Sequence, residues 1–402
     1  MLKPVTKQLV KPRPNNQFSF LKNLAPVAWF NLTYDRTRLI VGVAGVAFAV
    51  LLNFLNLGVL GALAATAQLT YTQLDAQIFL ISPLSINGTD TRPFPRERLY
   101  QAAGVNGVAK ASPLYVGYLP WKNPETLQTY FVLTYGFNPA DQPFLLDEVS
   151  TSASINALSQ RDTVLFDRLS RMEYGPQSTG TVTEAAGRRA VIGGQYQLGG
   201  GLAANGTVMT SDQNFIRFFS ERSLERIDLG LLQIEPNQDV AAVVDSIRQA
   251  LPPDVAVYSK ADMIDRDHTY WLQATAMGTI FTLGVGVALI VGASIVYQIL
   301  YTDIARNYSE YATLKAMGYR NRFLFQLILQ QAILLSLMGF FPGLLGAVGM
   351  NQLIAAATGG AIPVYLTGER VVKVFFLTIA MCSLSGLLSV RRVLKAKPAD
   401  LF

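Results

Sequence analysis

Hydrophobic residues follow one pattern near the start and over the last third of the chain, and another in between. In the flanking parts they run together for twenty residues or more without a charge; over residues 65–276 they come in short groups of strand or helix period, punctuated by Gly, Pro and Asp. Crossing about 30 Å of hydrocarbon at about 1.5 Å per residue takes about 20 apolar residues, and four spans reach that length. The first is LIVGVAGVAFAVLLNFLNLGVLGAL, Leu39–Leu63, with Asn53 and Asn56 its only strongly polar members; we set it at 39–64. The second, MGTIFTLGVGVALIVGASIVYQIL, lies at 277–301 inside a stretch free of Asp, Lys and Arg from Thr269 to Thr302. An uncharged run from Phe323 to Gly368 is too long for one span and carries Pro342 and Pro363. It predicts a helix over 323–349 and a short re-entrant or external loop over 350–370. The fourth, VVKVFFLTIAMCSLSGLLSV at 371–390, has Lys373 near its end, where the ammonium can snorkel.

The intervening region reads as alternating strands and helices. QLDAQIFLIS (Gln73–Ser82), VAKASPLYVGYLPW, TYFVLTYGF, DLGLLQI (Asp228–Ile234) and VAVYS predict strands. FPRERLYQAAG predicts a helix with Pro95 in its first turn and Gly104 at its end. DVAAVVDSIRQAL predicts another, with Val240, Val243, Val244, Ile247 and Leu251 on its apolar face. Two strand-helix-strand pieces flank a more polar, glycine-rich middle at about 145–219, which suggests a mixed α+β domain with an inserted lobe. From Ala261 to 276 no Pro or Gly interrupts the run into the second span, so a continuous helical stalk is expected.

Charge orients these pieces. The 402 residues carry 33 Lys+Arg and 27 Asp+Glu, but residues 65–276 hold 16 basic and 22 acidic side chains, so the surplus of cations belongs to the membrane flanks. Residues 1–38 (including Lys3, Lys22, Arg36 and Arg38), the 302–322 connection (Arg306, Lys315, Arg320, Arg322) and the 391–402 tail are basic. The positive-inside rule places all three, and both termini, on the cytoplasmic side of a multi-pass membrane protein, with the acidic domain and the 350–370 loop outside. This removes the case for nucleic-acid binding, since anionic headgroups account for the basic flanks. The first span lies behind a 38-residue leader and is too long for a secretory h-region, so an uncleaved anchor is expected. Within that leader, Leu24, Val27, Ala28, Phe30 and Leu32 with Trp29 suggest a short interfacial helix.

Chemistry is sparse. GGQYQLGGG (Gly193–Gly201) has the glycines of a phosphate loop, but no Gly-Lys dipeptide occurs anywhere, so it reads as a plain loop of the external lobe. His268 is the only histidine and Cys382 the only cysteine, which excludes a His-rich metal site and an internal disulfide. The Asp and Glu residues of 65–276 are interleaved with Arg, the pattern of a solvated face. We expect no enzyme activity, no cofactor and no metal.

One segment has mechanical content. Between the second and third spans lies DIARNYSEYATLKAMGYRNRF, in which Ile304, Tyr308, Tyr311 and Leu314 recur at helical spacing, Arg306 and Glu310 stand at i,i+4, and Gly318 suits a C′ position. This predicts a short amphipathic cytoplasmic helix, the alternative being a basic loop that only fixes orientation. The glycines of GFFPG (Gly339–Gly343), with Gly346 and Gly349, permit close helix approach or a bend.

One span, a large external domain and three clustered spans is the layout of FtsX/MacB-type ABC transporter permeases. SEYATLKAMGYRNRFLFQLILQQA resembles that family's loop and third span, and RRVLKAKPADLF its C-terminal tail; VAWFNLTYDRTRLIVGVAGVAFAVLLNFLNLG followed by PLYVGYLPWKNP is similar to the DevC-type permeases of cyanobacterial exporters. Asn53 and Asn56 depart from the pattern, and no role is carried onto them. The fold class is thus expected to be an α-helical membrane protein with four transmembrane helices and a large, two-lobed, MacB-like α+β periplasmic domain between the first two. The resemblance implies a homodimeric permease without its own ATPase, ATP being bound by a separate ABC ATPase docked at Arg306, Tyr308, Glu310, Tyr311, Leu314, Lys315, Met317 and Gly318. It also implies a periplasmic adaptor, a TolC-like outer-membrane channel in a tripartite efflux assembly, and mechanotransmission driving export of a glycolipid or other amphiphile. The alternatives are a lipoprotein-release permease and an FtsX-like regulator of a cell-wall hydrolase.

Overall fold

The computed structural model describes residues 29, 32–199, 201–309, 313, 317, 321–358 and 366–394. After α1 (Arg36–Thr72) come β1 (Ile78–Ile81), β2 (Phe94–Pro95), α2 (Glu97–Ala103), β3 (Val108–Lys122) and β4 (Thr129–Phe137). Next are α3 (Asp147–Ser150), α4 (Ser152–Ser159), β5 (Thr163–Asp167), β6 (Val182–Ala185), β7 (Arg188–Tyr196), β8 (Thr207–Ser211) and α5 (Asp212–Phe218). Then follow β9 (Arg226–Ile227), β10 (Leu229–Ile234), α6 (Val240–Ala250), β11 (Ala256–Ser259), α7 (Lys260–Thr269), α8 (Ala276–Arg306), α9 (Asn321–Thr358) and α10 (Gly368–Leu394). The chain divides into two compact units.

One unit holds residues up to Phe54, Val285–Ala347 and those from Thr367 on. Its helices belong to the four that are long and apolar enough to cross a membrane, α1, α8, α9 and α10. They meet through small residues, the means by which backbones approach where lipid leaves no hydrophobic drive for association. A Cβ at Gly339 of α9 would stand 2.5 Å from the Val46 side chain of α1, and one at Gly343 would stand 2.7 Å from the Ala47 carbonyl oxygen. Gly292 of α8 admits Met381 of α10, and Ser385 Oγ of α10 donates to the Ala293 carbonyl at 2.9 Å. Phe340 of α9 packs edge-on against Phe375 of α10, with ring centres 5.1 Å apart. Every helix extends beyond the span expected for it at both ends. Pro342 lies inside α9 without ending it, and the helix continues through Gly349 to Thr358, so the loop expected from residue 350 is helical over its first nine residues. Pro363 and the rest of that loop up to residue 365 lie outside the described residues.

The other unit holds Leu55–Gly284 and Val348–Leu366. Its nine-stranded sheet runs in the order β11-β1-β10-β3-β4-β8-β5-β7-β6, and β3 is the hinge of the arrangement. Val108–Leu114 of β3 ladder to β10, and Tyr115–Lys122 ladder to β4. Beyond β3 the sheet curls until Trp121 pairs with Ala185 of β6, closing six strands into a ring. Inside lie Trp121, Phe166, Tyr174, Ile192 and Val208, and closure leaves these strands no free edge. The 145–219 stretch supplies β5 to β8 of this ring. On the open part, α2 and α6 cover one face. Val243, Val244 and Ile247 of α6 are buried with Ile78, Leu80, Leu99 and Tyr115, and Val240 and Leu251 join the same cluster. Asp239 caps α6, its side chain accepting from the Ala241 amide.

Several local expectations need correction. Pro95 sits in β2, paired with Arg226, and α2 begins at Glu97, because Pro93 and Pro95 hold that segment extended. The strand expected over Gln73–Ser82 is confined to Ile78–Ile81, since residues 73–75 bond elsewhere: the Leu145 amide donates to the Gln73 carbonyl and the Asp75 amide to that of Pro143. Gly193–Tyr196 of the glycine cluster are strand residues of β7 and not loop, because they ladder to β5. The stalk is not continuous: α7 passes into a π turn at Tyr270–Ala274, and Thr275 is extended. Thr275 Oγ1 accepts from the Gly278 amide at 3.0 Å, an N-cap that starts α8 afresh.

Gly339→Val, which drives a branched side chain into Val46, should cost about 1–3 kcal/mol in thermal unfolding of the detergent-solubilised chain. Gly349→Ala, where a Cβ meets open space, should cost nothing measurable.

Candidate coupling site

At the basic end of the membrane-helix unit, Asp35 caps α1, with its Oδ1 3.3 Å from the Arg38 amide and its carbonyl accepting from Leu39 at 3.0 Å. Arg38 then reaches α8: its guanidinium donates to Asp303 Oδ1 at 3.1 Å and to the Ile299 carbonyl at 2.9 Å, with both charged side chains less than a fifth exposed. Arg306 returns the contact, 3.3 Å from Asp35 Oδ2. The exposed Arg306 pair is worth about 0–1 kcal/mol; the half-buried Arg38 bridge holds the beginning of α1 to the end of α8.

Of the expected coupling residues, Arg306 is the last residue of α8, Tyr308 is half-buried just beyond it and Met317 is exposed. The first part of the expected cytoplasmic helix is thus the final turn of α8, with Ile304 buried. Glu310, Tyr311, Leu314, Lys315 and Gly318 lie outside the described residues.

The domain-bearing unit contains the complementary joint. The last turns of α1 are tied to it by side chains. Thr66 Oγ1 accepts from the Leu202 amide at 2.9 Å, Thr70 Oγ1 meets Tyr135 Oη at 2.9 Å, and Tyr71 Oη donates to Asp267 Oδ2 at 2.7 Å. The same Asp267 oxygen accepts from the Gly88 amide at 2.9 Å, and Arg266 lies against Oδ1 at 3.4 Å. One carboxylate on α7 therefore gathers the end of α1 and the 82–92 loop. Lys260 Nζ, at the start of α7, donates to the Leu74 carbonyl at 2.8 Å.

Asp267 is 3% exposed, and Asp167 and Asp228 are 0% exposed, which corrects the reading of the acidic residues as a solvated face. Each is satisfied by donors from separate segments. Asp167 accepts from the Leu169, Leu198 and Gly199 amides and from Thr207 Oγ1. Asp228 accepts from the Val116 amide, Thr91 Oγ1 and Arg222. Burial pushes all three above the ordinary carboxylate range; the hydrogen bonds, and for Asp228 and Asp267 a neighbouring Arg as well, pull back only in part. His268, half-buried on α7, has no metal-ligand set around it, and no group of three or more His, Cys, Asp or Glu able to hold a metal occurs among the described residues.

Residues 282–398 match the FtsX-like permease C-terminal family. The match begins within α8 and takes in the 307–320 segment, α9 and α10. FtsX-like domains are transporter components, and the four apolar helices suit a membrane protein. No curated protein matches the chain. Among solved structures it is similar to the extracellular domain of the noncanonic ABC-type transporter YknZ from Gram-positive bacteria (12% identity, TM-score 0.33, covering 46% of this chain and 100% of that one). It is also similar to the periplasmic region of MacB from Actinobacillus actinomycetemcomitans (9%, 0.34, 48% and 92%) and to a domain of a permease protein from Porphyromonas gingivalis (13%, 0.30, 46% and 88%).

Two predictions follow from the Asp267 joint. A Cβ at Gly88 would fall 1.9 Å from Tyr71 Oη, so Gly88→Ala should expel that hydroxyl and lower stability by about 1–3 kcal/mol in denaturant titration. Because the buried carboxylates bind protons more tightly folded than unfolded, their cost is fully present above the raised folded pKa values. It fades as pH falls through them, and is gone below the unfolded value near about 3.9. Asp267→Asn should flatten this acid-side gain in a melting-temperature profile against pH, whereas an unchanged profile would mean that Asp267 titrates normally.

Proposed function

We propose that the chain is the permease subunit of an ABC exporter of the MacB/DevBCA kind, with cytoplasmic termini, a periplasmic α+β domain of two lobes between the first and second spans, and an inner-membrane location. The observation that carries this is the FtsX-like match over 282–398, supported by α1 being one helix from Arg36 to Thr72. α1 supplies Arg38 to the Asp303 bridge and Tyr71 to the Asp267 joint. ATP-driven closure of a separate ATPase dimer pushes the segment from Arg306 to Gly318 in each of two permease copies. The beginning of α1 and the end of α8 move together because Arg38 ties them, and the displacement reaches the sheet through Thr66, Thr70 and Tyr71. The external domain then drives a glycolipid or other amphiphile toward an adaptor and a TolC-like channel. The permease performs no bond chemistry and needs no cofactor of its own.

Affinity purification of the full chain from native membranes should bring down an ABC ATPase, an adaptor and an outer-membrane channel; a soluble lipoprotein carrier or a peptidoglycan hydrolase in their place would overturn the exporter reading. Glu310→Arg and Leu314→Trp should leave membrane insertion intact while abolishing ATPase co-purification and export, and unchanged export in both would remove the coupling role of that segment.

A further inference from the structure

In the membrane-helix unit, a cavity of about 890 Å³ lies between the beginning of α1, the end of α8 and the flank of α9. Its wall has two characters. Leu39, Ile299 and Leu335 form an apolar side, and Arg36, Arg38 and Arg306 with Asp35 and Asp303 form a charged side. The division coincides with the level at which the charge-free run of α1 begins, at Leu39, and that of α8 ends, at Thr302. In a spanning helix that transition is where headgroups meet hydrocarbon.

The charges are not balanced. Asp303 is engaged by Arg38 at 3.1 Å and Asp35 by Arg306 at 3.3 Å, while the exposed Arg36 makes no ion pair among the described residues. Arg306 is two-thirds exposed, so its guanidinium keeps open donors beside Arg36 on the same cavity wall. A planar guanidinium with donors to spare matches a phosphate oxyanion, and basic recesses between membrane helices suit anionic headgroups. Both carboxylates already face a cation, which leaves a choline or ethanolamine group without a counter-charge. A free phosphate ion would gain nothing from the leucine side of the wall.

We propose that this cavity binds an anionic phospholipid, its phosphate on Arg36 and Arg306 and the start of an acyl chain along Leu39 and Ile299. The site rests on the reading of α1, α8 and α9 as membrane spans. An occupant there stands against the Arg38–Asp303 bridge and makes the packing of α1 on α8 sensitive to the lipid around it.

The test uses the full chain reconstituted in nanodiscs of mixed phosphatidylglycerol and phosphatidylcholine, released into mild detergent and examined by native mass spectrometry for retained lipid. Wild type should keep phosphatidylglycerol in preference to phosphatidylcholine. Arg36→Gln should lower that retention about fivefold, the change expected from removing one headgroup-facing cation. Leu39→Trp, which fills the cavity from its apolar side, should lower it comparably, and Arg92→Gln on the sheet-bearing unit should leave it unchanged. Thermal melts establish that the variants are folded. Equal retention of the two lipids, or unchanged retention in Arg36→Gln, would overturn the proposal. Excess inorganic phosphate should leave the lipid bound; displacement by phosphate would identify a soluble anion as the ligand and overturn the lipid assignment. A chain that fails to enter nanodiscs would refute the membrane reading itself, an outcome distinct from unselective lipid retention.

Discussion

The acceptor capacity of one buried carboxylate organises three separate segments of the sheet-bearing unit. An ionised Asp removed from water is tolerated only when its oxygens are bonded, and Asp267 meets that demand with the Tyr71 hydroxyl, the Gly88 amide and the Arg266 guanidinium. These donors are nearly 200 residues from Asp267 in two of the three cases. No single segment could satisfy the carboxylate alone, so satisfying it fixes the end of α1, the 82–92 loop and α7 in one arrangement. The last turn of α1 is thereby part of the hydrogen-bonded interior of the sheet-bearing unit.

The same device recurs. Asp228 holds Thr91 and the Val116 amide, so the 82–92 loop is bonded to two different carboxylates, at Gly88 and at Thr91. Asp167 binds the turn after β7 to β8 through Leu198, Gly199 and Thr207, closing one end of the six-stranded ring. With Cys382 the sole cysteine, no disulfide is available for these tasks. Main-chain amides aimed at buried carboxylates give geometric specificity at a desolvation cost that their pH dependence exposes. In the membrane unit the constraint is of another kind: missing side chains at Gly339, Gly343 and Gly292 let helices close on one another.

The parts of this architecture that were legible in the sequence are those written in runs. The charge-free stretches mark α1, α8, α9 and α10 because any charge at mid-bilayer is costly. TYFVLTYGF defines β4 from end to end, and the Val240–Leu251 spacing places the buried face of α6. The parts that were not legible depend on partners far away in sequence. Nothing local distinguishes Asp267 from the exposed Asp262 and Asp265 beside it; its role is set by Tyr71 and Gly88. Thr275 breaks the stalk by an N-cap that requires no Gly or Pro, although Thr-x-x-Gly ahead of an apolar run was a readable, weak signal. The ends of α9 were misjudged because a proline within a long apolar helix is accommodated where neighbouring helices hold it.

Amide hydrogen exchange on the full chain in nanodiscs tests the joint most directly. The Gly88 amide sits in a loop and would exchange quickly if left to solvent. If Asp267 locks that loop to α1, Gly88 exchanges as slowly as the amides of β1 and opens only with the sheet. Exchange of Gly88 at the rate of an exposed loop, while β1 stays protected, would show that α1 is not fastened to the domain in this way.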